Sequence, residues 1–170
     1  RLHAANPGAL GQWSGKQFDW PCASKLADNE MISGSFTFRI NGVANTGGLQ
    51  QRLRLFTFNV PWANGLAGIL HIMAADHRAS RSDWKPGGHA EWNKWEMNST
   101  ESLGAAPAGK TFLYDSWNMN NPATDMDYCR LIDNGVDHVL SWNAQYLADR
   151  VRVTTALDGV PWTVSDIGWQ

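Results

Sequence analysis

Hydrophobic and polar residues alternate in short runs along most of the chain after residue 30. In the run SFTFRI, for example, Phe36, Phe38 and Ile40 share one face of an extended chain, and the residues between them share the other. Runs of this kind, each bounded by Gly, Pro, Asn or Asp, predict half-buried β-strands. The predicted strands are SGSFTFRING, LQQRLRLFTFNV, LAGILHIMAA, HAEWNKWEMNS, KTFLYDSW, HVLSWNA, RVRVTTAL and WTVSDIGW.

Four stretches, two strands and two connections, carry more specific signals. Strict alternation in LQQRLRLFTFNV places Leu53 and Leu55 on one face and Phe56 and Phe58 on the other. LAGILHIMAA is apolar enough to predict a buried strand, and DHRASRSDWKPGG after it predicts a polar loop. NAQYLADRV has some helical character, but it is short and lies between two alternating runs. Because no segment has a capped apolar helical stripe, the many short strands predict an antiparallel sandwich or barrel.

The stretch DHVLSWNAQYLADRVRVTTALDGVPW resembles the late hairpin of concanavalin A-like and laminin G-like domains. Upstream, GSFTFRINGVANTGGLQQRLRLFTFNVPWANGLAGILH resembles the earlier strands of the same domains, in the expected order. The connection NAQYLAD is longer than the usual turn of this family. The resemblance implies an all-β, antiparallel two-sheet jelly-roll sandwich, concanavalin A-like, whose concave face or loop rim often handles glycans. The matching residues are DHV at 137–139, Trp142, RVRV at 150–153 and LDG at 157–159.

Length and charge narrow the class of protein further. The 170 residues predict a single β-sandwich domain over 1–170, on which an irregular segment, 1–30, packs. A net charge of −2 with scattered Lys and Arg does not predict a nucleic-acid partner. No apolar run approaches the roughly 20 residues of a membrane-spanning helix, so we expect a chain that does not span a membrane.

The chain has 10 Trp residues, more than one small core readily absorbs. Trp142, like Val151, is expected to serve the core. Other Trp residues lie in predicted loops beside Asn and Arg, where aromatic planes stack on sugar rings and polar groups bind sugar hydroxyls. The sequence therefore predicts a lectin-like surface that recognises a glycan, without specifying the sugar or an oligomeric state. The predicted ligand-binding residues are Trp62, Arg81, Trp84, Trp117, Asn118 and Asn120.

Two alternatives to a binding domain remain open. One is a polysaccharide-active enzyme, a lyase or glycoside hydrolase of the same fold, with His89, His71, Tyr114 and Glu91 as catalytic candidates. Against a hydrolase, Glu91 and Glu96 are five residues apart, so a regular strand points them to opposite faces. His71 lies in an apolar run, where a lone His is more often a hydrogen-bonded core residue. The other alternative is a structural or adhesion module whose Trp residues form a protein interface.

A calcium site is a further candidate in the stretch YDSWNMNNPATDMDY. Calcium takes oxygen ligands from carboxylates, amides and carbonyls in flexible loops, although Asn/Asp clusters also make plain turns. The predicted metal ligands are Asp115, Asp125 and Asp127.

Three features together favour a secreted or extracellular protein. Cys22 and Cys129 would form one disulfide in an oxidising compartment, and two separate buried thiols in a reducing one. Asn98-Ser99-Thr100 is a glycosylation acceptor pattern. The chain is also rich in Trp and low in charge.

Overall fold

A computed structural model of the chain describes residues 29–43, 53–61, 67–75, 77–79, 102–115 and 129–168. Every regular element among these residues is a β-strand. The strands are β1 (Met31–Arg39), β2 (Leu53–Pro61), β3 (Ala67–Ala75), β4 (His77–Ala79), β5 (Ser102–Ala105), β6 (Lys110–Asp115), β7 (Cys129–Asp133), β8 (Asp137–Tyr146), β9 (Arg150–Leu157) and β10 (Val160–Gly168).

The strands described form two four-stranded antiparallel sheets and one short two-stranded sheet. The first sheet has the order β1-β8-β9-β10, and the second has the order β2-β3-β6-β7. β4 pairs with β5 apart from both sheets. In the first sheet, β8, β9 and β10 follow one another along the chain, whereas β1 reaches β8 from far away in sequence. The all-β prediction is therefore confirmed, and two antiparallel sheets are shown.

The inner faces of the two sheets share one hydrophobic core. At one end, Leu113 of the second sheet packs in a cluster with Leu140 and Trp162 of the first. At the other end, Leu70 of the second sheet packs with Val151 and Ile167 of the first. This contact is consistent with a sandwich, since alternation along each strand gives each sheet one apolar face to bury.

Part of the outer face of the second sheet is buried as well. Met73, Ala75, Phe112, Tyr114 and Cys129 form a separate buried cluster, against which Ala106 packs. These residues alternate along β3 and β6 with the residues of the inner core, so they project from the opposite side of the sheet. Burial on both faces explains why LAGILHIMAA is apolar without alternation. A strand is confirmed over Ala67–Ala75, and its described side chains, from Leu70 to Ala75, are buried as predicted.

Local irregularities change two of the predicted details in the first half of the chain. The register of β2 against β3 shifts between Arg54 and Phe56, so that Leu55 and Phe56 both pack against the inner core. The strict alternation predicted for β2 is therefore wrong at this point, because a bulge lets two consecutive residues face one side. The predicted polar loop also contains a strand, since β4 (His77–Ala79) pairs with β5.

The connection that suggested a helix belongs mostly to strands. β8 runs on through Asn143 to Tyr146, and only residues 147–149 make the turn to β9. The Leu147 amide donates to the Arg150 carbonyl oxygen across that turn, at 2.8 Å. The short strand β7 (Cys129–Asp133) was not predicted, because its five residues follow an Asn/Asp-rich stretch that indicates turns.

No helix among the residues that the structure describes is long and apolar enough to cross a membrane. Residues 1–28 lie outside the described residues, so the packing of the N-terminal segment on the sandwich and the single-domain organisation stay predictions.

Candidate functional site

Polar side chains from all four strands lie on the outer face of the first sheet, where Met31, Val139 and Val164 are also exposed. Polar residues of neighbouring strands lie side by side across the sheet, since Ser33 pairs with Asn143 and Asn143 pairs with Thr154. The alternate residues of the same strands, such as Trp142 and Val153, face the inner core. We call this surface the polar face. It consists of Ser33, Ser35, Ser141, Asn143, Gln145, Arg152, Thr154 and Asp166, all exposed or half-buried.

An ion-pair cluster occupies one edge of the polar face. Arg152 donates to both carboxylate oxygens of Asp166, at 2.7 and 2.8 Å. Arg150 donates to Asp149 and reaches the same Asp166 at 3.4 Å. The hydrogen bond from Arg152 lowers the pKa of Asp166, partly opposed by burial, and the charges of both arginines lower it further. Asp166 is therefore an ionised carboxylate held in a fixed position beside two guanidinium groups.

His71 lies on the outer face of the second sheet, away from the polar face. Its cross-strand neighbour is Thr57, and Thr57 Oγ1 lies 3.0 Å from His71 Nδ1. His71 is 3% exposed, as expected for a hydrogen-bonded histidine in a buried strand.

Tyr114 shares that face with His71. Tyr114 pairs directly with Met73, which lies two residues from His71 on β3, so the two candidate side chains project from adjacent strands on the same side. Tyr114 has no exposed surface and packs in the cluster with Phe112. The structure thus brings together two of the predicted catalytic candidates, in a buried environment.

Asp115 points the other way, into the space between the two sheets. Its carboxylate Oδ2 accepts a hydrogen bond from Ser165 Oγ at 3.0 Å, and both residues are fully buried. Beside Ser165 on β10, Thr163 forms a buried hydrogen bond with Thr155 at 2.7 Å. Asp115 therefore ties β6 of the second sheet to β10 of the first, a role that its prediction as a calcium ligand did not suggest.

A histidine that the sequence did not single out as a site residue is hydrogen-bonded through both of its ring nitrogens. His138, near the start of β8, is 7% exposed. Its Nδ1 lies 2.7 Å from Asp158 Oδ2, and its Nε2 lies 3.0 Å from the Asp133 carbonyl oxygen. The sequence did contain a signal for this contact, because His138 lies in DHV and Asp158 lies in LDG. These two motifs were interpreted only as parts of a hairpin.

Most of the predicted site residues lie outside the described residues. Nothing in the geometry bears on them, and their roles stay predictions. They are Trp62, Arg81, Trp84, Trp117, Asn118 and Asn120 for ligand binding, His89 and Glu91 for catalysis, and Asp125 and Asp127 for calcium.

Metal binding has no support from the part of the chain that the structure describes. No three His, Cys, Asp or Glu side chains within that part come together in a way that could hold a metal ion. Asp125 and Asp127 lie outside that part, so calcium binding by Asp115, Asp125 and Asp127 stays a prediction. Cys129 is buried in the outer cluster of the second sheet, and Cys22 lies outside the described ranges, so a disulfide between them also stays a prediction.

Comparison of the chain with known protein families, with curated proteins and with solved structures finds no match.

Proposed function

We propose that the chain is a secreted carbohydrate-binding domain with a concanavalin A-like jelly-roll fold. The observation that supports this best is the polar face, where hydroxyl, amide and charged side chains are arrayed at regular spacing across four paired strands. Cross-strand neighbours in an antiparallel sheet are about 4.5–5.5 Å apart at Cβ. Such an array offers donors and acceptors at regular intervals, which a ligand with hydroxyl groups along its whole length can use.

The chemistry of the polar face suits a glycan better than an apolar ligand. Asn143 and Gln145 each present a donor and an acceptor, which neighbouring sugar hydroxyls need at once. Arg152 is fixed by Asp166, so its guanidinium loses little further freedom when a ligand binds. The ligand proposed here is a neutral or weakly acidic oligosaccharide lying across the strands.

Aromatic stacking would come from the tryptophans of the predicted loops. Trp62, Trp84 and Trp117 are flanked in sequence by Asn, Asp and Arg, the usual neighbours of a stacking ring in a glycan site. These rings would supply the apolar part of recognition, and the polar face would supply the hydrogen bonds.

The second candidate function is a lyase of the same fold, and one observation favours it. His71 and Tyr114 project from adjacent strands on one face of the second sheet, where a base and an acid would be needed together. Their burial favours a structural role instead, since His71 is 3% exposed and Tyr114 is 0% exposed. Binding is therefore the preferred function.

Screening of the whole chain on a glycan array tests the proposal, followed by affinity measurements on any glycan retained. Asn143→Ala and Arg152→Ala should each raise Kd about tenfold, which is the loss of one good polar contact. Arg130→Ala is the matched control, because Arg130 is a half-buried arginine on β7 of the second sheet. It should leave Kd unchanged.

Three outcomes would count against the proposal in different ways. A chain that retains no glycan is not a carbohydrate-binding domain. Retention that Trp84→Ala and Trp117→Ala abolish, but Asn143→Ala and Arg152→Ala do not, places the site in the loops alone. Unsaturated products that disappear in His71→Ala would replace binding with lyase activity.

A further inference from the structure

His138 is the centre of a hydrogen-bonded junction between the two sheets. Asp133 ends β7 of the second sheet, whereas His138 belongs to β8 of the first and Asp158 to the turn between β9 and β10. The imidazole bonds to both of them, at 3.0 Å to the Asp133 carbonyl oxygen and 2.7 Å to the Asp158 carboxylate. Its ring also packs on Phe38 of β1, with 5.8 Å between the ring centroids.

The partners of the ring are both hydrogen-bond acceptors. A carbonyl oxygen never donates, and the Asp158 carboxylate is held as an acceptor by a second bond, from the Val139 amide to Oδ1 at 2.7 Å. A neutral imidazole has one N–H, so it could satisfy only one of the two acceptors. Only the imidazolium form, with a proton on each nitrogen, donates to both.

The charges around His138 favour the same form. Burial by itself lowers the pKa of His138, but the hydrogen bonds to Asp158 and to the Asp133 carbonyl, with the charges of both carboxylates, raise it above its ordinary value of 6.5. For Asp158, burial acts to raise the pKa, and the bonds from His138 and the Val139 amide lower it overall.

The remaining charged groups near this junction are already paired. Lys110 lies 2.6 Å from the Asp133 carboxylate, and Arg39 lies 2.7 Å from the carboxylate of Asp137, the residue before His138. These cations are engaged by other carboxylates, so they do not replace His138 as the partner of Asp158.

Backbone hydrogen bonds join several turns around the junction. The Asp158 amide donates to the Val139 carbonyl at 2.8 Å, and the Gly135 amide of the β7–β8 turn donates to the Ile40 carbonyl at 2.7 Å. Asn134 of the same turn donates its amide to Gly109 at 2.8 Å. Three turns and the end of β1 therefore meet where His138 sits.

We propose that doubly protonated His138 is a pH-dependent clasp that joins the two sheets at this end of the sandwich. The clasp forms in mildly acidic conditions. As the pH rises and the ring loses one proton, one of the two hydrogen bonds is lost and the β9–β10 turn is held less tightly. This device is independent of the proposed function, since it concerns the cohesion of the sheets and not a ligand.

The pH window follows from the two directions of shift. A raised histidine pKa gives stabilisation that is complete below 6.5 and is lost as the pH rises through the pKa of the folded state. A lowered aspartate pKa gives stabilisation that is complete above 3.8 and is lost as the pH falls through the folded value. The clasp therefore stabilises the protein most between pH 3.8 and pH 6.5.

NMR titration of the His138 ring in the whole wild-type chain is the direct test. The midpoint should lie above 6.5, and both ring nitrogens should carry protons at about pH 5. In Asp158→Asn the midpoint should fall below that of the wild type. A midpoint at or below 6.5 in the wild type, or a single ring proton at about pH 5, would overturn the proposal.

Amide hydrogen exchange gives a second readout that needs no substitution. Protection of the Val139 and Asp158 amides should fall between about pH 5.5 and about pH 8.5, beyond the intrinsic effect of pH on exchange. His71→Gln is the matched control, because His71 is a buried histidine whose bond to Thr57 stays within the second sheet. It should keep the pH dependence at Val139. Unchanged protection in the wild type, or loss of the dependence in His71→Gln alone, would refute the clasp.

Discussion

Single buried polar residues link the two sheets by hydrogen bonds between residues far apart in the sequence. Ser165 and Asp115 meet between the sheets although 50 residues separate them in sequence. His138 does the same at another position, through Asp133 and Asp158. Each side chain lies on an inner face, where a hydrogen-bonding group without a partner would cost about 1–3 kcal/mol.

Ser165→Ala should destabilise the protein by about 1–3 kcal/mol, because it removes one donor from the buried Asp115 carboxylate. Ser141→Ala is the control, since the half-buried Ser141 hydroxyl makes only a 3.4 Å bond to the Ala156 carbonyl. We expect the control to stay within about 0.5 kcal/mol of wild type. Denaturant unfolding measures both, and equal losses for the two variants would contradict the prediction.

Gly34 is required by the ring of Trp142 across the strand pair. A Cβ at position 34 would lie 2.9 Å from Trp142 Cζ2. The indole has little room to yield, because it packs against Phe56 and Phe58 with centroid separations of 5.3 and 6.1 Å. Gly34→Ala should therefore cost about 1–3 kcal/mol of unfolding free energy.

Gly168→Ala is the matched control for Gly34→Ala. A Cβ at position 168 would have its nearest neighbour, the Asp149 carbonyl oxygen, at 3.9 Å, which is ordinary contact. The substitution should be neutral or slightly stabilising, because it restricts the unfolded chain. If both variants unfolded at the same denaturant concentration, contact with Trp142 would not be the reason for a glycine at position 34.

At the level of elements, the β9–β10 hairpin shows how local sequence specifies geometry. Asp158 and Gly159 are the two residues between the strands, and both have positive φ, 52° and 79°. Two positive φ values in a two-residue loop match the twist of the flanking strands, and the dipeptide Asp-Gly favours that turn. The LDG motif therefore predicts the hairpin from the sequence alone.

Gly159→Ala should destabilise the hairpin by about 1 kcal/mol, since a Cβ is strained at positive φ whatever the space around it. Gly159→Asn should cost less, because Asn tolerates the left-handed region. Thermal unfolding of the two variants distinguishes conformational strain from side-chain crowding. Equal losses of melting temperature would show that strain is not the cause.

The elements that the sequence missed are those whose signals are not local. β7 is only five residues long and alternates weakly, and it is a strand because it pairs with β6. β4 likewise needs β5, which lies more than twenty residues later, beyond the predicted polar loop. The bulge in β2 depends on its register with β3, which no pattern within β2 records.

In the whole molecule, the two sheets depend on each other for burial. Leu140 of the first sheet is fully buried against the second, in the cluster that contains Leu113. Neither sheet could bury its inner face alone, so we expect them to unfold as one cooperative unit.

Leu140→Ala should cost about 2–5 kcal/mol and leave a single unfolding transition. Leu131→Ala is the control, since Leu131 is a strand residue of the second sheet that is 47% exposed. It should change the unfolding free energy by less than about 1 kcal/mol. Unfolding followed by tryptophan fluorescence and by circular dichroism measures both variants. Two separated transitions for Leu140→Ala would mean that the sheets are independent.

The sequence by itself determined the strand class and the facing of most strands. Alternation in SFTFRI and RVRVTTAL is a local property of the sequence. It correctly predicts that Phe36 and Phe38 face the core and that Val151 is buried. Trp142, predicted to serve the core, is half-buried against the inner cluster. These results need no knowledge of the partner strands, because each strand has its period of two wherever it pairs.

Only the tertiary structure decided which side chains meet. Asp115 sits in a stretch that indicates a loop ligand, yet pairing of β6 with β3 turns it between the sheets toward Ser165. His138 and Asp158 form the clasp because the β8–β9 register brings the start of one strand beside the end of the next. Hydrogen bonds between residues far apart in the chain depend on strand order and register, and these are fixed by the burial of whole faces.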